Sequence, residues 1–258
     1  MKILSCLPAA ALAAIISSTS LFSQTAVLPP FPDQDSSSAV PAASPTATPS
    51  TKPRFFRDIV HDQAKIFTSP AHIRRHDLEY LVPLAMGTAA LIATDETTSS
   101  WVHRGGSLPP ASRGVSYAGS LYATGGLAAG LYLFGRKTHD DRARETGRLA
   151  AQAMIDTLIV TEVLKYTMGR QRPDFGMGEG NFFDHGKSFP SGHASNVWAV
   201  ATVVSYEYQH HPWIKYGAFA IAAAVSMSRY TGRKHFLSDV LVGSSIGYGI
   251  GRFVYKTR

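Results

Sequence analysis

The chain of 258 residues is long enough for one domain with a sizeable core and additional segments. It has 25 Lys and Arg against 18 Asp and Glu, which gives a formal net charge of +7. Nucleic acid, phosphorylated small molecules and anionic lipid are therefore all eligible as partners. The single cysteine, Cys6, excludes a disulfide framework and a thiolate metal site.

Residues 1–26 have the layout of a secretory signal peptide, although no clean cleavage site is visible. Met1 and Lys2 give a positive start, residues 3–22 are uncharged and mostly apolar, and small residues follow. An uncleaved membrane anchor is the alternative, which Pro8 disfavours. We therefore predict an exported protein, either periplasmic or membrane-associated, that acts on the extracytoplasmic side.

Residues 27–53 are dominated by Pro, Ser, Ala and Thr. Such a segment cannot bury enough apolar surface to offset the entropy lost on ordering, so we predict a disordered linker. The folded domain is expected to cover residues 54–258.

This domain shows a succession of helical patterns and no convincing pair of strands. The predicted helices cover residues 55–67, 77–94, 116–134, 140–168, 193–208, 213–228 and 236–255. From these helices we expect an all-α fold, a six-helix-type bundle with one or two short extra helices. Residues 114–135 reach the length of about 20 apolar residues that a membrane span needs, whereas the last three helices do not. The pattern leaves open whether the bundle lies in a membrane.

Three short clusters in the C-terminal half carry the reactive side chains. The first runs from Lys165 to Arg172 and Pro173, and the second is Pro190-Ser191-Gly192-His193. The third begins at Ser228-Arg229 and continues to His235 and Asp239. Each cluster alone has an ordinary explanation, as a solvated charge, a helix cap or a structural pair, but the three together at these spacings indicate a site.

The cations of these clusters suit a phosphate group. Lys165, Arg172 and Arg229 lie next to apolar helices, where an unpaired charge is costly, so we expect them to share an anion. Arginine offers a planar fork to phosphate oxygens and lysine a point charge. If the helix ends meet, these three side chains form a cationic pocket.

The remaining residues of the clusters supply an anion-binding helix end and two imidazoles. Ser191 and Gly192 precede an apolar helical run, whose free N–H groups favour an anion. His193 would stand there as a proton donor. His235 and Asp239 are four residues apart, and a carboxylate that accepts a hydrogen bond from one ring nitrogen leaves the other free to attack.

Together the clusters resemble the signature of the type 2 phosphatidic acid phosphatase superfamily, K-x6-R-P, P-S-G-H and S-R-x5-H-x3-D, at every fixed position. The superfamily includes bacterial acid phosphatases, membrane lipid phosphatases and vanadium haloperoxidases, and the resemblance implies their helical fold. It also implies a phosphoric monoester or diphosphate hydrolase that needs no metal and no cofactor. The expected substrate is a phosphorylated small molecule or lipid, and no nucleic acid.

The resemblance further implies a role for each matched residue. His235 would attack phosphorus and form a phosphohistidine, Asp239 would orient His235, and His193 would protonate the leaving group. The phosphate would be bound by Lys165, Arg172, Ser191, Gly192 and Arg229.

Two other functions use the same residues. A vanadium-dependent haloperoxidase would bind vanadate at His235, and a non-enzymatic envelope protein would retain a relic anion pocket. Residues 174–189 are expected to form a solvated loop, with shaping of the pocket mouth as the alternative. Arg170, Arg233 and Lys234 either extend the positive field or are solvated surface charges. Substrate identity and oligomeric state do not follow from the sequence.

Overall fold

The computed structural model describes residues 55–104, 110–175 and 178–258, so the predicted signal peptide and linker lie outside the described residues. Eight α-helices and a 3₁₀ turn are present in the described ranges, which contain no strand. The α-helices are α1 (Phe55–Thr68), α2 (Arg75–Arg104), α3 (Pro110–Tyr117), α4 (Leu121–Thr138), α5 (Asp141–Met168), α6 (Gly192–Glu207), α7 (Pro212–Thr231) and α8 (Leu237–Thr257). The 3₁₀ turn, Ser69–His72, follows α1. The prediction of an all-α fold with six main helices and short extra ones is confirmed.

Two helix boundaries differ from the prediction. The segment expected as one helix over residues 116–134 is divided, because Ser120 caps α4 by accepting a hydrogen bond from the Ala123 N–H at 3.2 Å. The turn before it approaches the second cluster closely, since a Cβ atom on Gly119 would lie 3.2 Å from the His193 carbonyl oxygen. α2 continues ten residues beyond the predicted end at residue 94, and this extension contains the buried Asp95.

The apolar core lies between α5, α6 and α8. α6 packs against α5, α7 and α8, and the main cluster of buried side chains comes from these helices and α4. Its buried members are Ala128, Leu149, Ala150, Ala153, Met154, Val160, Ala199, Val200, Val203, Ile250 and Val254. Burial of this apolar surface is the main stabilising contribution to the bundle.

Three glycines on one face of α8 bring its backbone unusually close to α6. A Cβ atom on Gly243, Gly247 or Gly251 would lie 2.6, 2.1 or 2.6 Å from a carbonyl oxygen of α6 or of its N-cap Ser191. Any side chain at these positions would push the helices apart. The glycines therefore hold the N-terminus of α8 beside the N-terminus of α6, where the second and third clusters lie.

Across the described ranges, no helix is both long enough and apolar enough for a membrane span.

Candidate active site

The three clusters predicted from the sequence meet at one end of the bundle. Lys165 lies in the last turn of α5, and a Cβ atom on Gly192 would lie 3.0 Å from its Nζ, which places the ammonium at the N-terminus of α6. The Ser191 N–H donates to the Asp239 carbonyl oxygen at 3.0 Å. Contacts therefore join the first cluster to the second and the second to the third.

His193 occupies the second position of α6 and is half-buried. Burial, and after it the charges of Arg229, His235, Lys165 and Arg172 in that order, lower its pKa to about 4. All three predicted cations and the second imidazole are thus near enough to act on this ring. The free site consequently favours a neutral His193.

The cations differ in how they are held. Lys165 forms an ion pair with Glu162 of the preceding turn, with Nζ 2.5 Å from a carboxylate oxygen. Arg229, in the last turn of α7, donates from its terminal NH1 nitrogen to the Ser116 hydroxyl of α3. Burial and the charge of Arg172 lower the pKa of Arg229. Arg172 itself is exposed at the start of the segment after α5.

In this region two buried polar atoms lack a hydrogen-bond partner among the described residues. They are the Ser191 hydroxyl oxygen and the Nε of Arg229. Ser191 is the N-cap residue of α6, yet its side chain makes no capping hydrogen bond. Buried polar groups are nearly always hydrogen-bonded, so two such atoms beside a helix N-terminus mark a place suited to an anion.

His235 precedes α8 rather than lying on it, so its four-residue spacing to Asp239 does not reflect a shared helix face. α8 begins at Leu237, and Asp239 turns back to accept a hydrogen bond from the Phe236 N–H at 2.9 Å. The His235 Nδ1 lies 2.7 Å from the carbonyl oxygen of Ser188 and 3.7 Å from the Asp239 carboxylate. The backbone of Ser188 is therefore the hydrogen-bond acceptor for the ring, and the carboxylate is a close negative charge.

The two groups influence each other's ionisation. Burial lowers the pKa of His235 and outweighs the opposing effect of Asp239. Burial raises the pKa of Asp239, but His235, Arg170 and Ser188 together hold it below its usual range. A neutral imidazole beside an ionised carboxylate is the state that these contacts favour.

A family model described as the PAP2 superfamily matches residues 147–258, which hold all three clusters. This segment, less than half of the chain, is similar to the PAP2 superfamily. A PA-phosphatase related-family protein of Dictyostelium discoideum is 35% identical over 144 residues, 49% of this chain and 52% of that protein. Phosphatidylglycerophosphatase B of Bacillus subtilis (strain 168) is 33% identical over 131 residues, 47% of this chain and 59% of that protein. The chain thus matches little more than half the length of these relatives.

A solved PAP2 structure has the same helical fold. It is the crystal structure of the first transmembrane PAP2 type phosphatidylglycerolphosphate phosphatase from Bacillus subtilis. The TM-score is 0.52 at 26% sequence identity, and the match covers 68% of this chain and 94% of that one.

The described part of the link between the first two clusters, residues 174–175 and 178–189, is more ordered than a solvated loop. Its backbone bonds to the end of α5, with Phe183 N–H to Met168 at 2.8 Å, Gly186 N–H to Gly169 at 2.9 Å and Ser188 N–H to Arg170 at 2.9 Å. Several of its side chains remain exposed. The link therefore fixes the backbone around Arg170 and places the Ser188 carbonyl under His235.

Arg170 is buried, so the interpretation of this residue as a solvated surface charge is wrong. Its side chain is 1% exposed and pairs with Asp95 and Asp239. Arg233 donates to the Pro173 carbonyl oxygen at 2.8 Å, and the Lys234 ammonium pairs with Asp174 at 2.6 Å. These two side chains fasten the turn after α7 to the segment after α5.

Ser188 and Asp95 contact the site in the structure, but the sequence motifs did not predict either of them. Ser188 acts through its backbone carbonyl, which no residue pattern encodes, and Asp95 belongs to a polar stretch that resembles a solvated helix end. In the parts of the chain that the structure describes, no group of three or more His, Cys, Asp and Glu side chains could hold a metal ion.

Proposed function

We propose that the protein hydrolyses a phosphate monoester or diphosphate, carried by a lipid, through a phosphohistidine at His235. The proposal depends most on one observation: the Lys165 ammonium lies at the N-terminus of α6, where the charges of Arg172 and Arg229 also act on His193. Phosphoryl transfer needs charge stabilisation of the equatorial oxygens, a nucleophile and a proton donor. Each of these functions has a candidate residue here.

The partnerless atoms support binding of a phosphate group at this place. The Ser191 hydroxyl and the Arg229 Nε are donors without an acceptor among the described residues, and the Gly192 N–H opens α6. A phosphate oxygen would accept from all three. Lys165 and Arg172 would balance the remaining negative charge.

The hydrogen bond of the His235 ring supports its role as the attacking group. In a neutral ring, Nδ1–H donates to the Ser188 carbonyl, so Nε2 carries the lone pair that attacks phosphorus. As the N–P bond forms, the bond from phosphorus to the leaving oxygen breaks. That oxygen takes the proton of His193, whose pKa a bound phosphate raises from about 4.

Hydrolysis of the intermediate reverses these roles. Neutral His193 accepts a proton from water as the water oxygen attacks phosphorus, and the N–P bond breaks. Inorganic phosphate leaves, and His235 recovers its neutral ring with His193 protonated. No step in this sequence uses a metal ion, and the chelator experiment below tests that feature.

The relatives support a lipid as the carrier of the phosphate. The matched Bacillus subtilis proteins are named for phosphatidylglycerophosphate as substrate. In this chain α2 and α4 expose large apolar side chains, among them Met86 and Trp101 on α2 and Tyr122 and Phe134 on α4. Such a surface would lie well against lipid, and we propose that the protein acts on the extracytoplasmic side after export.

The test measures phosphate release from phosphatidylglycerophosphate in mixed micelles and from a soluble aryl phosphate, each with and without chelator. The proposal expects lipid hydrolysis that chelator does not affect and that His235→Ala abolishes. His210→Ala, which removes an exposed histidine after α6, is the matched control and should retain activity. Loss of activity with chelator, or activity in His235→Ala, would contradict the mechanism, and hydrolysis of the soluble ester alone would contradict the lipid substrate.

A further inference from the structure

A buried arginine connects the end of α5 to the start of α8. Arg170 donates from NH1 to the Asp239 carboxylate and to the Ser238 hydroxyl, each at 2.7 Å, and from Nε to the Gly180 carbonyl at 3.1 Å. Its guanidinium carbon lies 4.1 Å from the centroid of the Phe236 ring. The arginine is therefore fixed in one position by both polar and apolar contacts.

The second carboxylate of this arrangement comes from a distant part of the chain. Asp95, on α2, is 1% exposed and accepts from Arg170 NH2 at 2.9 Å. It also accepts from the Ser238 hydroxyl and from the Ser238 N–H at 3.3 Å. Asp95 lies outside the residues that the PAP2 model matches, yet it contacts both Arg170 and the first turn of α8.

The contacts of Asp95 and Arg170 continue through Ser188 and Asp239 to His235, the proposed nucleophile. The Ser188 hydroxyl donates to the Asp239 carboxylate at 2.5 Å, its N–H donates to the Arg170 carbonyl at 2.9 Å, and its carbonyl accepts from the His235 Nδ1 at 2.7 Å. Arg170 thus holds both groups that face the Nδ1 side of the ring, Asp239 through its side chain and Ser188 through its backbone.

A buried ion pair alone is weak support for stability, because desolvation offsets much of the attraction. Here two carboxylates share one guanidinium, an arrangement that fixes the orientation of the carboxylate next to His235. An imidazole held by a single carbonyl acceptor can still rotate about that contact, whereas a second fixed negative group defines its plane.

We propose that Asp95 and Arg170 are positioning residues for His235, which hold Asp239 and Ser188 on one side of the ring so that Nε2 faces the phosphate. The inference rests on the proposed function, in which His235 is the nucleophile. It assigns a role to α2, a helix that carries none of the three clusters.

The charges around His235 give the expected direction of each effect. Asp239 faces the ring from α8, Arg229 from α7 and His193 from α6, while Arg170 lies behind Asp239. Asp95→Asn keeps the side-chain volume and one acceptor oxygen but removes a negative charge. The positive charge of Arg170 is then less compensated, so the pKa of His235 falls and the acid limb of kcat/KM moves to lower pH.

The experiment compares Asp95→Asn with Asp95→Glu and with Asp62→Asn. We expect Asp95→Asn to lower kcat roughly 10- to 100-fold, as for other outer partners of functional histidines, with KM nearly unchanged. Asp95→Glu should restore the acid limb, since it restores the charge. Asp62 is an equally buried aspartate paired with an arginine, Arg258, so Asp62→Asn controls for loss of a buried ion pair and should leave the acid limb in place.

A spectroscopic measurement reports on the ring of the intact wild-type protein and needs a variant only to assign the signal. Nitrogen-15 NMR of the His235 ring, identified by its loss in His235→Ala, should show the tautomer with the proton on Nδ1. A His235 ring that carries its proton on Nε2 would overturn the inference. An Asp95→Asn variant with the kcat of the wild type and an unchanged acid limb of kcat/KM would also overturn it. If Asp95→Asn does not fold, Ser238→Ala removes only the hydroxyl between Asp95 and Arg170 and should lower kcat without raising KM.

These outcomes separate the inference from the proposed function. A wild-type protein with the expected tautomer but no phosphate release would contradict the function and support the arrangement of the ring. Full activity in Asp95→Asn would contradict the positioning role and leave the function supported.

Discussion

The His235 ring is anchored by the backbone of Ser188, with Nδ1 2.7 Å from the carbonyl oxygen. The Asp239 carboxylate lies 1.0 Å further from the same nitrogen, at 3.7 Å, and accepts hydrogen bonds from Arg170, Ser188 and the Phe236 N–H instead. The tautomer of His235 therefore depends first on a main-chain group, which substitution of a side chain does not remove.

This division of roles predicts a moderate effect for Asp239→Asn. Because the Ser188 carbonyl still accepts from Nδ1, the variant should retain the attacking tautomer and lose roughly 10- to 100-fold in kcat. A fall of about 10⁴-fold, as when an aspartate alone sets the tautomer, would contradict the assignment to Ser188. Steady-state kinetics at saturating substrate give the comparison.

The low pKa of His193 predicts loss of stability in acid. Its folded pKa of about 4 lies below the unfolded value near 6.5, so the unfolded chain binds the proton more readily. The free energy of unfolding should therefore fall as the pH drops from about 6.5 to about 4. Urea unfolding should show a smaller fall in His193→Asn, which lacks the titrating ring.

Bound phosphate should reduce this acid sensitivity, since its charge raises the pKa of His193. His210→Asn, at an exposed position, should behave like the wild type. Equal acid sensitivity of the wild type and His193→Asn would show that His193 is not the group responsible.

The position of the Lys165 ammonium predicts its contribution to anion binding. Lys165→Met removes the charge next to Gly192 and should weaken vanadate binding roughly 10-fold or more, the loss of a charge-assisted contact. Lys137→Met removes an exposed charge at the end of α4 and should change the affinity little. Isothermal titration with vanadate measures both, and equal losses would indicate only a general effect of net charge.

Close packing of α8 on α6 predicts opposite effects for two glycines. A Cβ atom on Gly247 would lie 2.1 Å from the Ser195 carbonyl oxygen, so Gly247→Ala should lower the free energy of unfolding by about 1–3 kcal/mol. Gly249 lies on the same helix with nothing within 4 Å of such a Cβ atom. Gly249→Ala should raise that free energy by about 0.5–1 kcal/mol, because alanine loses less backbone entropy.

Urea unfolding with the slope held constant distinguishes these two cases. Stabilisation by both substitutions would mean that α6 and α8 do not approach as closely as the structure has them.

The sequence predicted the helices from local hydrophobic patterns, and it predicted the meeting of the three clusters from their resemblance to a known signature. It predicted that Lys165, Arg172, Arg229 and His193 share one site, and in the structure the charges of the three cations lower the pKa of His193. The roles of these residues in catalysis stay predictions, as does the export of the protein.

The supporting contacts could not be predicted, because each depends on tertiary structure. Asp95 is polar in a polar stretch, and only the docking of α2 on α8 buries it. Arg170 resembles its neighbour Arg172 in sequence. The backbone turns at Gly169, which has a φ of 52°, and after this turn Arg170 lies inside the protein whereas Arg172 is exposed. Ser188 contributes a carbonyl, which every residue possesses.

Trapping of the covalent intermediate tests most directly whether His235 is the nucleophile. The protein is mixed with ³²P-labelled substrate and quenched in base within milliseconds, and the peptides are then mapped for acid-labile phosphate. We expect label on the peptide that contains His235, more of it in His193→Ala and none in His235→Ala. Phosphate release by the wild type without such a label, or with the label on another residue, would contradict the proposal that His235 is the nucleophile.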